Sequence, residues 1–144
     1  MPDILHEVTI MGAPDKVNKA LTDQSALRSW WTVEANAQPK AGTVSQFSFY
    51  GGQVNMKIKV DEIAPDHVYW SPQEGVPDWA NTRITWDMTP GENGTTKLLF
   101  SHRNFANYDG SYALTNFNWG WYLISLKAYI ESGTGKPHTG QPGT

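Results

Sequence analysis

The 144-residue chain contains no cysteine. That excludes a disulfide framework, a thiolate metal site and a thiol nucleophile, and it fits a reducing compartment. An excess of basic charge is also missing. Eleven Lys and Arg against 14 Asp and Glu leave a formal net charge of −3, whereas gripping a phosphate backbone needs a basic face. Nucleic acid is therefore not an expected partner. No stretch is apolar enough for long enough to cross a bilayer. The opening Met1-Pro2-Asp3-Ile4-Leu5-His6-Glu7 lacks the basic start and apolar run of a secretion signal. The expected setting is the cytoplasm.

Patterns that carry catalysis are equally sparse. The four histidines, at 6, 67, 102 and 138, lack metal-ligand spacing, so no metal is expected. Glu34, Asp61, Glu62, Asp78 and Asp87 show no spacing that pairs carboxylates for acid–base work. There is no Gly-rich phosphate loop before a helix and no serine in a nucleophile elbow. No cofactor is implied.

What the chain has is aromatic mass: seven Trp and an aromatic content of 12% in one domain's length. Ile4 to Met11 alternates as a first strand. Gly12-Ala13-Pro14 breaks it, and Pro14 and Asp15 suit the first turn of a helix that buries Val17, Ala20 and Leu21. After a pause at Thr22–Ser25, a second short helical turn runs through Leu27 to Trp31. The middle of the chain is β. Thr43 to Tyr50 and a return strand from Val54 flank the turn signal Gly51-Gly52. Val54, Met56 and Ile58 face one way, Lys57 and Lys59 the other. A short strand is expected from His67 to Ser71, and a loop from Pro72 to Ala80. Two further strands follow, with Thr82, Ile84 and Trp86, then Leu98, Phe100 and His102, on the inward face.

The run from Ser111 to Gly133 is the most informative stretch. At about 100° per residue it forms a helix with two apolar stripes on nearly opposite sides. Trp119, Tyr122, Leu123, Leu126 and Ile130 make one; Leu114, Phe117, Trp121, Ile124 and Ala128 make the other. A surface helix needs only one such stripe, so this helix is expected to be covered on both sides. The simplest cover is a curved sheet wrapped around it, which tends to leave an internal space. Gly133 is a natural helix stop. Thr134 to Thr144 reads as a flexible Gly/Pro tail with no core-forming pattern.

Val8, Ile10, Ala13-Pro14, Val17 and Ala20-Leu21-Thr22-Asp23, with Leu27 and Trp30-Trp31 behind them, resemble the opening of the START-like (SRPBCC) superfamily. More narrowly, the chain resembles the branch named for activators of the heat-shock-protein-90 ATPase. Val60 to Val68 is similar to that branch's central hairpin, Gly94 to His102 to its last strand, and Trp119 to Gly133 to its closing helix. The resemblance implies an α+β helix-grip (START/Bet v 1-like) fold, a curved antiparallel sheet around a long C-terminal helix with two short helices after the first strand. It covers residues 1–133 as a single domain. The superfamily houses lipid carriers, hydrophobic-ligand binders, polyketide cyclases and hydrolase-like members, and a fold does not choose among them.

The aromatics suggest the binding of a small, mainly apolar molecule between sheet and helix, since pockets are typically apolar with a few placed polar groups. The expected lining is Trp31, Phe47, Phe49, Met56, Ile58, Trp70, Trp86, Phe100, His102, Tyr108, Asn118 and Trp119. Asn55 and Asn116 are further sources of polarity. His102, inward beside Leu98 and Phe100, reads in two ways. It is a catalytic candidate, a general base on a bound carbonyl compound as in cyclase or dehydratase relatives, or it is a structural histidine bonded to neighbours. The first gains weight if a carboxylate or Tyr sits within hydrogen-bonding reach of the ring. A third reading is a partner-protein, co-chaperone-like domain. One helix stripe or Trp79 would then serve a homodimer or other protein contact.

Overall fold

The structure is a computed structural model and describes residues 1–139. Seven strands form one antiparallel sheet in the order β1-β7-β6-β5-β4-β3-β2. They are β1 (Ile4–Met11), β2 (Glu34–Asn36), β3 (Val44–Phe49), β4 (Val54–Ala64), β5 (His67–Glu74), β6 (Arg83–Pro90) and β7 (Thr95–Arg103). Two short helices, α1 (Pro14–Thr22) and α2 (Gln24–Trp30), follow β1, and α3 (Tyr112–Ser132) lies across the sheet. The helix-grip expectation holds. The pause between the short helices is Asp23, whose side chain accepts from the Ala26 N–H at 3.1 Å and so caps α2.

Alternation sets the faces. Met56, Ile58, Thr82, Ile84, Trp86, Leu98 and Phe100 are buried under α3 and Val54 is half-buried, while Lys57 and Lys59 are exposed. Two register shifts in the β4–β5 pairing, at Lys57/Ile58 and Val60/Glu62, supply the bends a wrapping sheet needs. β5 runs on to Glu74, through the stretch expected as a loop. Its pairing to β6 stops at Trp70, and Pro72 sits at the β4 irregularity, where a missing N–H costs least. Gly75, at φ +114°, ends it; a Cβ there would clash with the Asn55 carbonyl oxygen. The chain then makes a 3₁₀ turn over Pro77–Trp79 that buries Trp79, which is therefore not a contact surface. β2 has no counterpart in the sequence reading.

The two helix stripes separate cleanly. Trp119, Leu123 and Leu126 are buried against the sheet, with Tyr122 and Ile130 partly so. Leu114, Phe117, Trp121 and Ile124 are exposed, so the expectation of cover on both sides fails for the single chain. The reason is geometric: one sheet curves around one side of α3, and the remaining packing comes from α1 and α2 near its C-terminal half.

The tail expectation also changes. Beyond Gly133, which adopts the left-handed cap at φ +85°, the chain turns back along α3. The Lys136 N–H donates to Ser125 Oγ at 2.7 Å, the His138 N–H to the Trp31 carbonyl at 2.8 Å, and the Val33 N–H to the His138 carbonyl at 3.0 Å. His138 is buried with its ring against Phe49 and Tyr50. The rest of the expected tail, 140–144, lies outside the described residues. Ending the chain at Gly133 is expected to cost roughly 3 kcal/mol, at about 1 kcal/mol for each lost hydrogen bond. Urea unfolding of the shortened chain measures this, and unchanged stability would show that the segment does not brace the domain.

Candidate functional site

The centre of the fold is a cluster of rings. Trp31 packs on Phe47 at 4.3 Å, on Trp119 at 5.2 Å and on Trp70 at 5.8 Å between centroids. Trp119 meets Phe100 at 4.7 Å and Trp86 at 5.8 Å. Trp70 and Trp86 are buried with no hydrogen-bond acceptor at their indole N–H groups. They meet each other edge to face at 5.2 Å between centroids.

His102 is wholly buried and holds this cluster in register. The Trp119 Nε1–H donates to His102 Nδ1 at 3.1 Å, which leaves the proton on Nε2. Nε2 meets Thr82 Oγ1 at 2.8 Å, and that hydroxyl donates in turn to the Trp79 carbonyl at 2.6 Å. Both ring nitrogens are engaged, and neither partner is a carboxylate or a Tyr. Burial pushes the imidazole down to about 3. The arrangement matches the structural reading of His102.

A half-open cavity of about 190 Å³ lies to one side of this cluster. Trp31 at the end of α2, Phe49, Val54 and Met56 of the β3–β4 hairpin, and Val76 and Trp79 of the β5–β6 connection form three walls. The fourth is the N-terminal half of α3, with Ser111, Leu114, Thr115, Asn118, Trp119 and Tyr122. The Ser111 N–H donates to Asp78 Oδ2 at 2.7 Å and ties the helix start to the β5–β6 connection. That bond holds the Asp78 carboxyl below the usual carboxylate range. The Trp79 Nε1–H donates to Thr115 Oγ1 at 3.2 Å. Burial, with Tyr50 nearby, pushes the Tyr122 phenol up to about 12, so it stays neutral across the ordinary pH range.

Of the residues singled out in the sequence, Trp31, Phe49, Met56, Asn118 and Trp119 line this space. Phe47, Ile58, Trp70, Trp86, Phe100 and His102 are buried behind it, in the packed core rather than on its wall. Tyr108 is 72% exposed and packs edge-on against Tyr112, away from the cavity. Asn55 is occupied at the hairpin by Ser48 and the Gly52 carbonyl, and Asn116 by His6. Sequence reasoning missed Tyr50, Val54, Val76, Trp79, Ser111, Leu114, Thr115 and Tyr122. The spacing of Ser111, Thr115 and Asn118 down one helix flank beside the first stripe, continued by its member Tyr122, was the available signal.

Deleting the Trp86 ring should cost as much as deleting Trp119, roughly 3–5 kcal/mol each, because both rings are almost wholly buried and Trp119 meets the cavity with only one edge of a ring otherwise enclosed by Trp31, Trp86 and Phe100. Phe49→Ala should cost less, since a cavity-facing ring has fewer partner atoms to lose. Equal losses at all three sites in denaturant unfolding would mean that the cavity is closed in solution.

His102 sets a pH dependence. Its folded pKa lies below the unfolded value, so the unfolded chain takes up the proton first. Its contribution is complete above about pH 6.5 and falls by roughly 1.4 kcal/mol per pH unit below that, levelling near the folded value of about 3. In His102→Gln the amide oxygen accepts from Trp119 and the amide N–H₂ donates to Thr82, so that slope should vanish with the fold intact. Parallel stability profiles for the two proteins between pH 6.5 and 4.5 would show that His102 is protonated in the fold.

Known proteins place the chain. The model of the family described as Activator of Hsp90 ATPase homolog 1-like protein matches residues 12–131. The Aha1 dimer from Colwellia psychrerythraea, solved in solution, is 31% identical, with 94% of this chain and 100% of that chain covered at a TM-score of 0.85. MLL2253 from Mesorhizobium loti is 19% identical over 90% of this chain and 96% of its own, at a TM-score of 0.77. SSP2350 from Staphylococcus saprophyticus is 18% identical over 94% and 96%, also at 0.77. The last two likenesses concern the fold alone. No curated protein matches the chain significantly. With the matched segment running from the end of β1 almost to the end of α3, the chain belongs to the Activator of Hsp90 ATPase homolog 1-like protein family.

Proposed function

We propose that the chain binds a small, mainly apolar molecule in the cavity beside Trp119. The observation that carries this reading is the cavity itself. Its volume, about 190 Å³, exceeds the roughly 150 Å³ that suffices for benzene in an apolar protein interior. The occupant is therefore a single-ring compound or the end of a short acyl chain. Its hydrophobic part lies against Trp31, Phe49, Met56 and Trp79, and a polar group is turned toward Asn118 and Thr115. The closed Trp119–His102–Thr82 chain favours binding over turnover, because it leaves the cyclase- or dehydratase-like alternative without its base. A cytoplasmic setting belongs to the same proposal and is supported by the cysteine-free composition.

A second reading concerns partners. The Colwellia relative is described as a dimer, and its similarity to this chain supports self-association here as well. The exposed apolar face of α3 favours this protein-contact reading.

Native mass spectrometry of freshly purified protein should reveal a bound small molecule. Single-ring apolar probes such as p-cresol should raise the melting temperature by several degrees at concentrations about a hundredfold above their Kd. Val54→Phe, which fills the cavity, should abolish that shift without unfolding the domain. An empty protein whose melting temperature responds to no such probe, or a shift that survives Val54→Phe, would overturn this reading.

A further inference from the structure

We infer that the exposed stripe of α3 is a two-fold interface on which a second copy of this chain docks. The inference rests on the self-association reading and names the surface responsible. Leu114, Phe117, Trp121 and Ile124 are 63%, 71%, 54% and 63% exposed. They recur at intervals of three, four and three residues, and Ala128 continues the series four residues on. That is the a/d spacing of a helix–helix seam. Among the described residues it has no partner within the chain, because the sheet covers only the opposite side.

Size and charge both point to a like partner. Phe117 and Trp121 each bury roughly 150–250 Å² when covered, and with Leu114 and Ile124 the stripe offers about 500 Å², in the range of the largest patch on a monomer, which is often functional. A stable interface needs about 800 Å² per partner, so the flanks of the seam are required to supply about 300 Å² more. On one flank Ala113 and Gly120 border a groove floored by His6, whose Nε2 is held by Asn116 Oδ1 at 2.9 Å. Small residues there admit a ring from a facing helix, the arrangement in which central aromatic anchors carry most binding energy. From Tyr112 to Leu126 there is no charged residue at all. Within that stretch an acidic or basic partner finds nothing to pair with, and the first cation beyond it, Lys127, is held by Glu131 and the Thr9 carbonyl rather than free to meet a membrane surface. A second copy meets an equally uncharged face. Leu114 also stands on the rim of the cavity, so the docked copy stands beside its mouth.

Sedimentation velocity of the intact chain over a concentration series tests this. Wild type should dimerise. Phe117→Glu and Trp121→Glu should each weaken the dimer on the order of 30-fold or more, as for loss of a central anchor. Leu99→Glu, an exposed apolar site on the outer face of β7, should leave it intact. A wild-type dimer that persists in both helix variants would overturn the surface while sparing self-association. A wild type that stays monomeric up to its solubility limit would overturn both. Isotope-filtered NMR on wild type mixed from labelled and unlabelled protein gives a readout that needs no variant. Its intermolecular contacts should involve the Phe117 and Trp121 rings. A dimer whose intermolecular contacts lie elsewhere overturns the interface even if the glutamate variants misfold.

Discussion

The hydrogen bond from the Trp119 indole to His102 is the constraint on which most of the architecture turns. It joins α3 to β7 inside a ring-packed interior, where an unpaired N–H or imidazole nitrogen would cost about 1–3 kcal/mol. Through Thr82 and the Trp79 carbonyl the same chain of donors reaches β6 and the β5–β6 connection. Once Trp119 is fixed there, the rotation of α3 is fixed with it. Leu123 and Leu126 must point at the sheet, and Leu114, Phe117, Trp121 and Ile124 must point away.

The same placement explains why the cavity lies where it does. Trp119 and its neighbours fill the middle of the concave face, so free volume remains only toward the helix N-terminus. There the wall is the β5–β6 connection, which no strand pairing holds against α3. The Asp78–Ser111 and Trp79–Thr115 bonds hold that wall in place. The site is thus a by-product of how the helix is anchored, and its polar groups come from the helix flank next to the anchor.

How far the sequence discloses this depends on the physics involved. Period-two alternation was legible in β1, β4, β6 and β7 because burial on one face enforces it, and the two helix stripes were equally plain. Alternation tells which face a residue takes but not its depth, so Trp70, Trp86 and Phe100 could not be told from the true wall residues Trp31, Phe49 and Met56. The docking of 134–139 left no periodic pattern, since the segment's own groups in the hydrogen bonds described are backbone N–H and C=O, which any sequence carries, and its one buried ring, His138, is a single position. The missed end of β5 has a similar cause: Pro72 argues against a strand unless the neighbouring pairing has already ended. The assumption that two stripes require two covers within one chain overlooked that a second molecule can provide one of them.

The tryptophan cluster has an optical consequence. Trp30, Trp31, Trp70, Trp79, Trp86 and Trp119 form a connected series in which each ring centroid lies within 6.0 Å of another's. Transition dipoles that close couple, so the near-ultraviolet spectrum belongs to the assembly and cannot be divided among single indoles. Excitation absorbed anywhere in the series migrates to its lowest-energy member. Three of these rings, Trp31, Trp79 and Trp119, line the cavity. An occupant that quenches any one of them would therefore dim the emission of the whole interior.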